Sequence, residues 1–192
     1  CAAAPVRAAA RTVLVLGDSL SAGYGLDADQ GWVRLLKQKL AAQGFDHRVV
    51  NASVSGETTA GGLARLPSLL DRHRPQLVLV ELGGNDGLRA LPLTQMRANL
   101  EDIVDASAQA GATAVLFEMR IPSNYGPTYT EAFTRTFAEV ADDRQVPLVP
   151  FLLSAFAEDP DAFLSDGIHP SASAQPVILD TVWPHIEPLL TP

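Results

Sequence analysis

The stretch that decides the fold is Val13-Leu14-Val15-Leu16-Gly17-Asp18-Ser19-Leu20-Ser21. Four apolar residues end abruptly in Gly-Asp-Ser, which is typical of a strand buried on both faces of a parallel sheet. In open α/β sheets, ligands bind at the carboxyl ends of the strands. The pattern therefore predicts that Ser19 lies at the ligand-binding edge of such a sheet, where it is a candidate nucleophile.

Strand patterns alternate with amphipathic helix patterns along the rest of the chain. The predicted strands span residues 12–16, 48–52, 77–82, 114–119 and 146–149. Such alternation is typical of a parallel sheet covered by helices on both faces. We therefore predict an α/β protein, a three-layer α/β/α sandwich of the flavodoxin-like type with a five-stranded parallel sheet. The last helix is predicted to begin near Ser171, and Pro184 and Pro188 predict that it kinks or ends early.

Length and composition restrict the functional class. A chain of 192 residues suits a single domain, which we place at residues 12–192 after a flexible N-terminal segment of residues 1–11. A hydrophobic fraction of 47% and a charged fraction of 19% are typical of soluble globular proteins. The net charge of -8 argues against a nucleic-acid partner. No run approaches the ~20 apolar residues of a membrane span, so no transmembrane segment is predicted.

The single cysteine, Cys1, excludes an internal disulfide framework and a multi-cysteine zinc site. Because alanines follow it, the start of the chain resembles a bacterial lipoprotein cut at its acylated cysteine. That interpretation predicts a periplasmic protein with a lipid anchor at Cys1. A trimmed or engineered terminus explains the same residues equally well, and both interpretations stay open at this point.

Four segments carry polar residues that suit chemistry at one edge of the sheet. Three of them follow predicted strands and the fourth precedes the last helix. The segments are Gly17-Asp18-Ser19-Leu20, Ser55-Gly56-Glu57-Thr58, Gly83-Gly84-Asn85-Asp86 and Asp166-Gly167-Ile168-His169-Pro170. If the strands are parallel, all four segments meet near the same edge.

A serine hydroxyl needs a base before it acts as a nucleophile. Of the four histidines, only His169 has an acid at D-x-x-H spacing within a loop stiffened by Gly and Pro. Asp166 at that spacing reaches the far ring nitrogen and holds the useful tautomer. Taken alone, the pair is more simply an aspartate cap and a surface histidine. The three other polar loops favour the catalytic interpretation.

An oxyanion hole needs hydrogen-bond donors aimed at a developing negative charge. The candidates are the backbone N–H groups of Ser19 and Gly56 and the side-chain amide of Asn85. Each of these sequences taken singly is also ordinary turn chemistry.

In order and spacing, these segments resemble the four sequence blocks of the GDSL, or SGNH, hydrolase family. The likeness covers residues 12–190, and residues 81–89 and 122–126 are most similar to bacterial periplasmic arylesterases, thioesterases and lysophospholipases. The resemblance implies that Ser19 attacks the acyl carbonyl, that His169 is the general base and then the general acid, and that Asp166 orients it. It also implies that Ser19, Gly56 and Asn85 bind the oxyanion.

The resemblance further implies an acyl-binding groove. A loop over residues 87–92 is expected to move over the acyl chain, and Leu88, Ile121, Pro122 and Tyr125 are expected to bind substrate. The implied substrates are aryl esters, short to medium acyl esters and thioesters, and lysophospholipids or acyl-CoA. No metal or organic cofactor is expected, and the protein is expected to be a monomer. Ser171 departs from the Asn expected in close relatives.

Two other functions remain open from the sequence. One keeps the family but makes the substrate a carbohydrate O-acetyl group. The other is a non-catalytic, flavodoxin-like module that binds a lipid or nucleotide. Glu57 and Asp86 also present a glycosidase-like carboxylate pair, although loop hydrogen bonding and helix N-terminal charge explain them better.

Overall fold

Five parallel strands form the centre of the computed structural model, which describes residues 11–190. The order across the sheet is β2-β1-β3-β4-β5, and each neighbouring pair is parallel. The strands are β1 (Arg11–Gly17), β2 (His47–Asn51), β3 (Leu77–Glu81), β4 (Thr113–Phe117) and β5 (Leu148–Val149). The predicted five-stranded parallel sheet is therefore confirmed, with β4 and β5 shorter than the apolar runs suggested.

Seven α-helices connect the strands within the described residues. They are α1 (Ser19–Ala22), α2 (Trp32–Ala42), α3 (Thr59–His73), α4 (Gly84–Leu88), α5 (Leu93–Gln109), α6 (Pro127–Arg144) and α7 (Gln175–Ile186). The short helices α1 and α4 follow strands β1 and β3 closely. They are too short to show the apolar periodicity by which a helix is predicted from sequence. A 3₁₀ turn, Ala172–Ala174, precedes α7 where the last helix was predicted to start.

Two separate apolar cores lie on the two faces of the sheet. One contains α2 and α7 packed on Val13 and Val15, and the other contains α3, α5 and α6 packed on Leu14 and Leu16. Successive side chains of a strand point to opposite faces, so the continuous apolar run of β1 supplies both cores. The three-layer α/β/α arrangement is confirmed.

Prolines lie inside two of the helices. α3 continues through Pro67, and α7 continues through Pro184 and ends at Ile186, two residues before Pro188. A proline inside a helix removes one backbone hydrogen bond. Burial of the flanking side chains Leu66 and Trp183 offsets that loss, since packing supplies most helix stability in proteins.

The register of the sheet places the candidate site. Gly17 at the end of β1 pairs with Glu81 at the end of β3. The segments that follow these two neighbouring strands therefore leave the sheet side by side and lead into α1, which carries Ser19, and α4, which carries Asn85. The predicted lipid anchor at Cys1 lies outside the described residues, as does most of the predicted N-terminal segment. No helix within residues 11–190 has the length and apolar character needed to cross a bilayer.

Candidate active site

Ser19 is the first residue of α1, two positions after the end of β1. The helix starts there because Asp18 caps it, its carboxylate Oδ1 accepting a hydrogen bond of 3.0 Å from the backbone N–H of Leu20. The first N–H groups of a helix have no acceptor within that helix, so the Ser19 N–H is available to a ligand. The turn from strand to helix thus presents both the hydroxyl and the amide of Ser19.

His169 is held by a closed loop before α7. Phe163 and Pro170 form an antiparallel bridge, and the backbone N–H of Leu164 donates to the carbonyl of His169 at 2.8 Å. This places Nε2 of His169 2.9 Å from the hydroxyl oxygen of Ser19. The structure therefore brings the predicted nucleophile and base within hydrogen-bonding distance.

Asp166 completes the chain of hydrogen bonds. Its Oδ2 lies 2.7 Å from Nδ1 of His169, and its Oδ1 accepts from the backbone N–H groups of Ile168 at 2.9 Å and His169 at 3.0 Å. An ionised carboxylate only accepts, so Nδ1 carries the imidazole proton and Nε2 is free to accept from Ser19. The backbone N–H of His169, followed by the other hydrogen bonds, lowers the pKa of Asp166 to about 2.

Tyr24 packs against the imidazole of His169, with ring centroids 4.3 Å apart and planes tilted by 35°. Gly23 and Gly25, both with positive φ, flank it and turn the chain so that its ring reaches the site. The sequence analysis did not single out Tyr24. Its only signal was an aromatic residue between two glycines, which does not reveal a partner 145 positions away.

Asn85 projects from α4 toward the turn that carries Ser19. Its Nδ2 donates to Oδ2 of Asp18 at 3.0 Å, which leaves the second Nδ2 hydrogen for another acceptor. Gly56 lies in the loop between β2 and α3 with φ of 80°. The Arg89 guanidinium donates to the Gly56 carbonyl at 2.9 Å and so connects that loop to the end of α4.

A cavity of about 460 Å³ opens beside Ser19, Asn85 and His169. Leu88 and Ile168, both more than one-third exposed, lie at its mouth. Its walls include Met119, Ile121, Pro122, Phe151, Leu153 and Phe163. Mostly apolar walls with a few polar groups at one end are typical of sites that bind apolar ligands.

Three predicted site residues, Gly56, Tyr125 and Asp166, lie outside the cavity lining. Asp166 is hydrogen-bonded to His169, which does line the cavity. Gly56 is on the adjoining loop, and the hydroxyl of Tyr125 donates to the Leu88 carbonyl at 2.7 Å. Tyr125 therefore contacts the segment at the cavity mouth instead of the cavity itself. Of the predicted substrate-binding residues, Leu88, Ile121 and Pro122 do line the cavity.

The carboxylates of the glycosidase-like alternative each have a structural partner. Asp86 is buried and accepts from the backbone N–H of Thr59 at 2.9 Å and from its hydroxyl at 2.6 Å. Glu57 pairs with Arg65 at 2.8 Å. These contacts tie the loops to α3, so neither carboxylate is presented to a substrate. Within residues 11–190, no three His, Cys, Asp or Glu side chains group so as to hold a metal ion.

Glu81 is a buried acid that contacts Asp18 and Ser21, on either side of Ser19, and the sequence analysis gave it no role. Its side chain is fully buried, and Oε2 accepts from the Ser21 hydroxyl at 2.6 Å and from the Asp18 backbone N–H at 3.3 Å. One signal was present, since Glu81 is the only charged residue in the apolar run Leu77–Glu81. A charge inside a buried strand usually marks a specific partner.

Comparisons with known proteins agree with this geometry. A model of the GDSL-like lipase/acylhydrolase family matches residues 15–175. The chain is 50% identical over 184 residues to the esterase TesA of Pseudomonas aeruginosa, covering 96% of this chain and 92% of that protein. It is 45% identical over 183 residues to thioesterase 1/protease 1/lysophospholipase L1 of Escherichia coli K12, covering 95% and 86%.

Solved structures show the same relationship. The crystal structure of the psychrotrophic esterase EstA from a Pseudoalteromonas species, inhibited by monoethylphosphonate, is similar to this structure with a TM-score of 0.90. The two chains are 43% identical, and the similarity covers 94% of this chain and 98% of that one.

Proposed function

The chain belongs to the GDSL-like lipase/acylhydrolase family, and on that premise we propose that it is a serine hydrolase of acyl esters and thioesters that works through an acyl-enzyme. The observation that carries this proposal is the continuous chain of hydrogen bonds from Ser19 through His169 to Asp166 beside an apolar cavity. A serine, an oriented histidine and a carboxylate are the groups that acyl transfer requires.

In the first half of the reaction, the Ser19 hydroxyl attacks the acyl carbonyl while Nε2 of His169 takes its proton. The imidazolium that forms is stabilised by the ionised Asp166. The developing oxyanion accepts hydrogen bonds from the N–H groups of Ser19 and Gly56 and from Nδ2 of Asn85. His169 then returns the proton to the departing alcohol or thiol, which leaves the acyl group on Ser19.

In the second half, a water molecule replaces the leaving group. His169 takes a proton from this water as it attacks the acyl carbonyl, and the same oxyanion donors act again. When the tetrahedral intermediate collapses, His169 returns the proton to the Ser19 oxygen and the free carboxylic acid departs. The chain's own side chains therefore supply every proton transfer in the cycle.

The cavity supports acyl chains as the part of the substrate that the enzyme holds. Its walls are mostly apolar, with Met119 and Leu153 buried and Phe151 partly buried. Apolar walls favour acyl chains of short to medium length, in aryl esters, thioesters and lysophospholipids, over a carbohydrate whose hydroxyls need polar partners. A binding module without chemistry has no use for the contact between Ser19 and His169.

Hydrolysis of p-nitrophenyl butyrate by the wild type and by Ser19→Ala tests the proposal. The exposed Ser68 on α3 provides a matched control as Ser68→Ala. We expect Ser19→Ala to lose at least about 10³-fold in kcat, while Ser68→Ala keeps the wild-type rate. If Ser19→Ala retains more than about one-hundredth of the wild-type kcat, Ser19 is not the nucleophile.

Covalent labelling and substrate competition separate the alternatives. A fluorophosphonate is expected to label the wild type and Ser68→Ala but not Ser19→Ala, whereas a binding module takes no label. Acetylated xylan compared with a decanoyl thioester distinguishes the O-acetyl esterase from the acyl esterase, and we expect turnover of the thioester. The subgroup resemblance also supports a periplasmic location, which fractionation of the native bacterial cells and detection of the protein in each fraction would test.

A further inference from the structure

Glu81 connects strand β3 to the start of α1, the helix that carries Ser19. It ends β3, it pairs in register with Gly17 of β1, and its Oε2 accepts from Ser21 and from the Asp18 backbone N–H. A Cβ atom built on Gly17 would lie 2.7 Å from that Oε2. The Glu81 carboxyl therefore occupies the space that a side chain at Gly17 would need.

The two oxygens of Glu81 have different surroundings. Oε2 already accepts two hydrogen bonds, whereas Oε1 is buried and accepts none from the donors of the described residues. The neighbouring acid is Asp18, whose side chain is also buried and whose backbone N–H donates to Oε2 of Glu81. Two carboxyls form a hydrogen bond only if one of them carries a proton.

Of the two acids, Glu81 binds that proton more tightly than Asp18 does. Burial raises the pKa of Glu81 well above its usual range, and the negative charge of Asp18 raises it further. Burial also raises the pKa of Asp18, but the hydrogen bonds from the Leu20 backbone N–H and from Asn85 oppose that rise. The charge of the pair therefore stays on Asp18.

The charge state of Asp18 decides which way the Asn85 amide faces. An ionised Asp18 only accepts, so Asn85 must present Nδ2 to it, and the second Nδ2 hydrogen then points away toward the cavity. A protonated Asp18 donating to Oδ1 of Asn85 would reverse the amide. An acceptor lone pair would then face the developing oxyanion and repel it.

We propose that Glu81 is a positioning residue for acyl transfer, which stays protonated, donates its hydrogen to the Asp18 carboxylate and thereby holds the Asn85 amide in its donating orientation. This inference rests on the proposed function, since it assigns Asn85 to the oxyanion. Glu81 itself touches no substrate, because its side chain is fully buried. Its effect reaches the reaction through Asp18 and Asn85.

Two substitutions at this position separate positioning from packing. Glu81→Gln keeps the shape, and its amide can still donate to Asp18 while its carbonyl accepts from Ser21. Glu81→Leu keeps the side-chain volume approximately but has no hydrogen-bond donor for Asp18 and no acceptor for Ser21. Glu139→Gln on the exposed surface of α6 is the matched control, because it removes a carboxyl outside the site.

For p-nitrophenyl butyrate, we expect Glu81→Gln to retain kcat within about threefold and Glu81→Leu to lose about 10- to 100-fold in kcat. KM should change little in both, since oxyanion contacts form in the transition state. A Glu81→Gln enzyme that folds but is as slow as an Asn85→Ala enzyme overturns the proposal. So does a Glu81→Leu enzyme with the wild-type kcat.

Infrared spectroscopy gives a readout that does not depend on activity or on the folding of Glu81→Leu. At pH 7, we expect the wild type and Glu139→Gln to show the carbonyl stretch of a protonated carboxyl, and Glu81→Gln to lack it. Absence of the band from the wild type, or its persistence in Glu81→Gln, overturns the proposal about Glu81. A wild type that neither hydrolyses the ester nor takes a fluorophosphonate overturns the proposed function instead.

Discussion

The hydroxyl oxygen of Ser19 lies 2.9 Å from Nε2 of His169, although 150 positions separate the two residues in the chain. β1 delivers Ser19 to the edge of the sheet, and the loop closed by Phe163 and Pro170 delivers His169 to the same place. The contact is therefore a product of the whole fold, and its geometry depends on elements at both ends of the described chain.

The pKa of Asp166, lowered to about 2, makes part of the stability pH-dependent. An aspartate in an unfolded chain has a pKa of about 3.9, so the folded state binds the proton less tightly. The hydrogen bonds to the carboxylate therefore stabilise the fold fully above that value, and this stabilisation is lost as the pH falls toward 2. We expect the Tm difference between wild type and Asp166→Asn to be largest near pH 7 and to shrink between about pH 5 and pH 2.

Thermal unfolding at a series of pH values measures this difference. Asp102→Asn, at an exposed position on α5, is the control and should show no comparable change in Tm difference with pH. A Tm difference for Asp166→Asn that stays constant down to pH 2 would contradict the ionised, hydrogen-bonded carboxylate.

Replacing Asn85 by Ala should slow the chemical step. The variant removes a proposed oxyanion donor and also one of the hydrogen bonds that Asp18 accepts. We expect kcat for p-nitrophenyl butyrate to fall by about 10²–10³-fold with KM nearly unchanged. Steady-state kinetics beside Gln38→Ala, an exposed amide on α2, provides the comparison. An effect on KM alone would assign Asn85 to substrate binding.

Tyr24 should contribute to the rate through its ring and not through its hydroxyl. Aromatic contacts of this kind are worth about 0.5–1.5 kcal/mol, so loss of the ring in Tyr24→Ala should lower kcat/KM by about 2- to 10-fold. Tyr24→Phe keeps the ring against His169 and should keep the wild-type value. Equal losses in both variants would show that the hydroxyl, and not the stacking, is what matters.

Gly17 should tolerate no side chain. A Cβ there would lie 2.7 Å from Oε2 of Glu81 and 2.8 Å from Cβ of Ser21, well inside normal contact distances. We expect Gly17→Ala to lower the free energy of unfolding by about 1–3 kcal/mol and to reduce activity through the displaced turn. Denaturant unfolding measures the first effect and ester hydrolysis the second.

Gly31→Ala is the matched control for Gly17→Ala. Its nearest neighbour would be the Cα of Gly23 at 3.7 Å, an ordinary contact, and its φ of -65° suits any residue. We expect its stability to stay within about 1 kcal/mol of the wild type. Similar destabilisation in the two variants would mean that close packing at Gly17 is not the cause.

Most of the fold followed from local patterns. The continuous apolar run before Ser19 predicted a doubly covered strand, and alternation of strand and helix patterns predicted the parallel sheet, because both depend on side-chain periodicity alone. The short helix Gly84–Leu88 was not predicted, since a sequence of Gly-Asn-Asp-Gly-Leu has turn residues and no apolar period.

The site residues that belong to a sequence motif were predictable. Those that only tertiary packing brings to the site were not. The polar blocks placed Ser19, Asn85 and His169 in one region, and the structure brings these side chains to one cavity. The roles of Tyr24 and Glu81 depend on neighbours 145 and 63 positions away, respectively. The sequence signals at these two positions do not identify such distant partners.

Because the strands are parallel, one edge of the sheet lies far from the candidate active site. The turns at Gly44 and Gly111 precede β2 and β4, so they lie at the amino-terminal edge of the sheet, opposite Ser19. A Cβ on either glycine would meet no atom within 4 Å. Exposed turns remote from the chemistry are where chains accept foreign sequence best. This edge is accordingly a suitable place to attach the protein to a solid support, because the cavity beside Ser19 then faces outward.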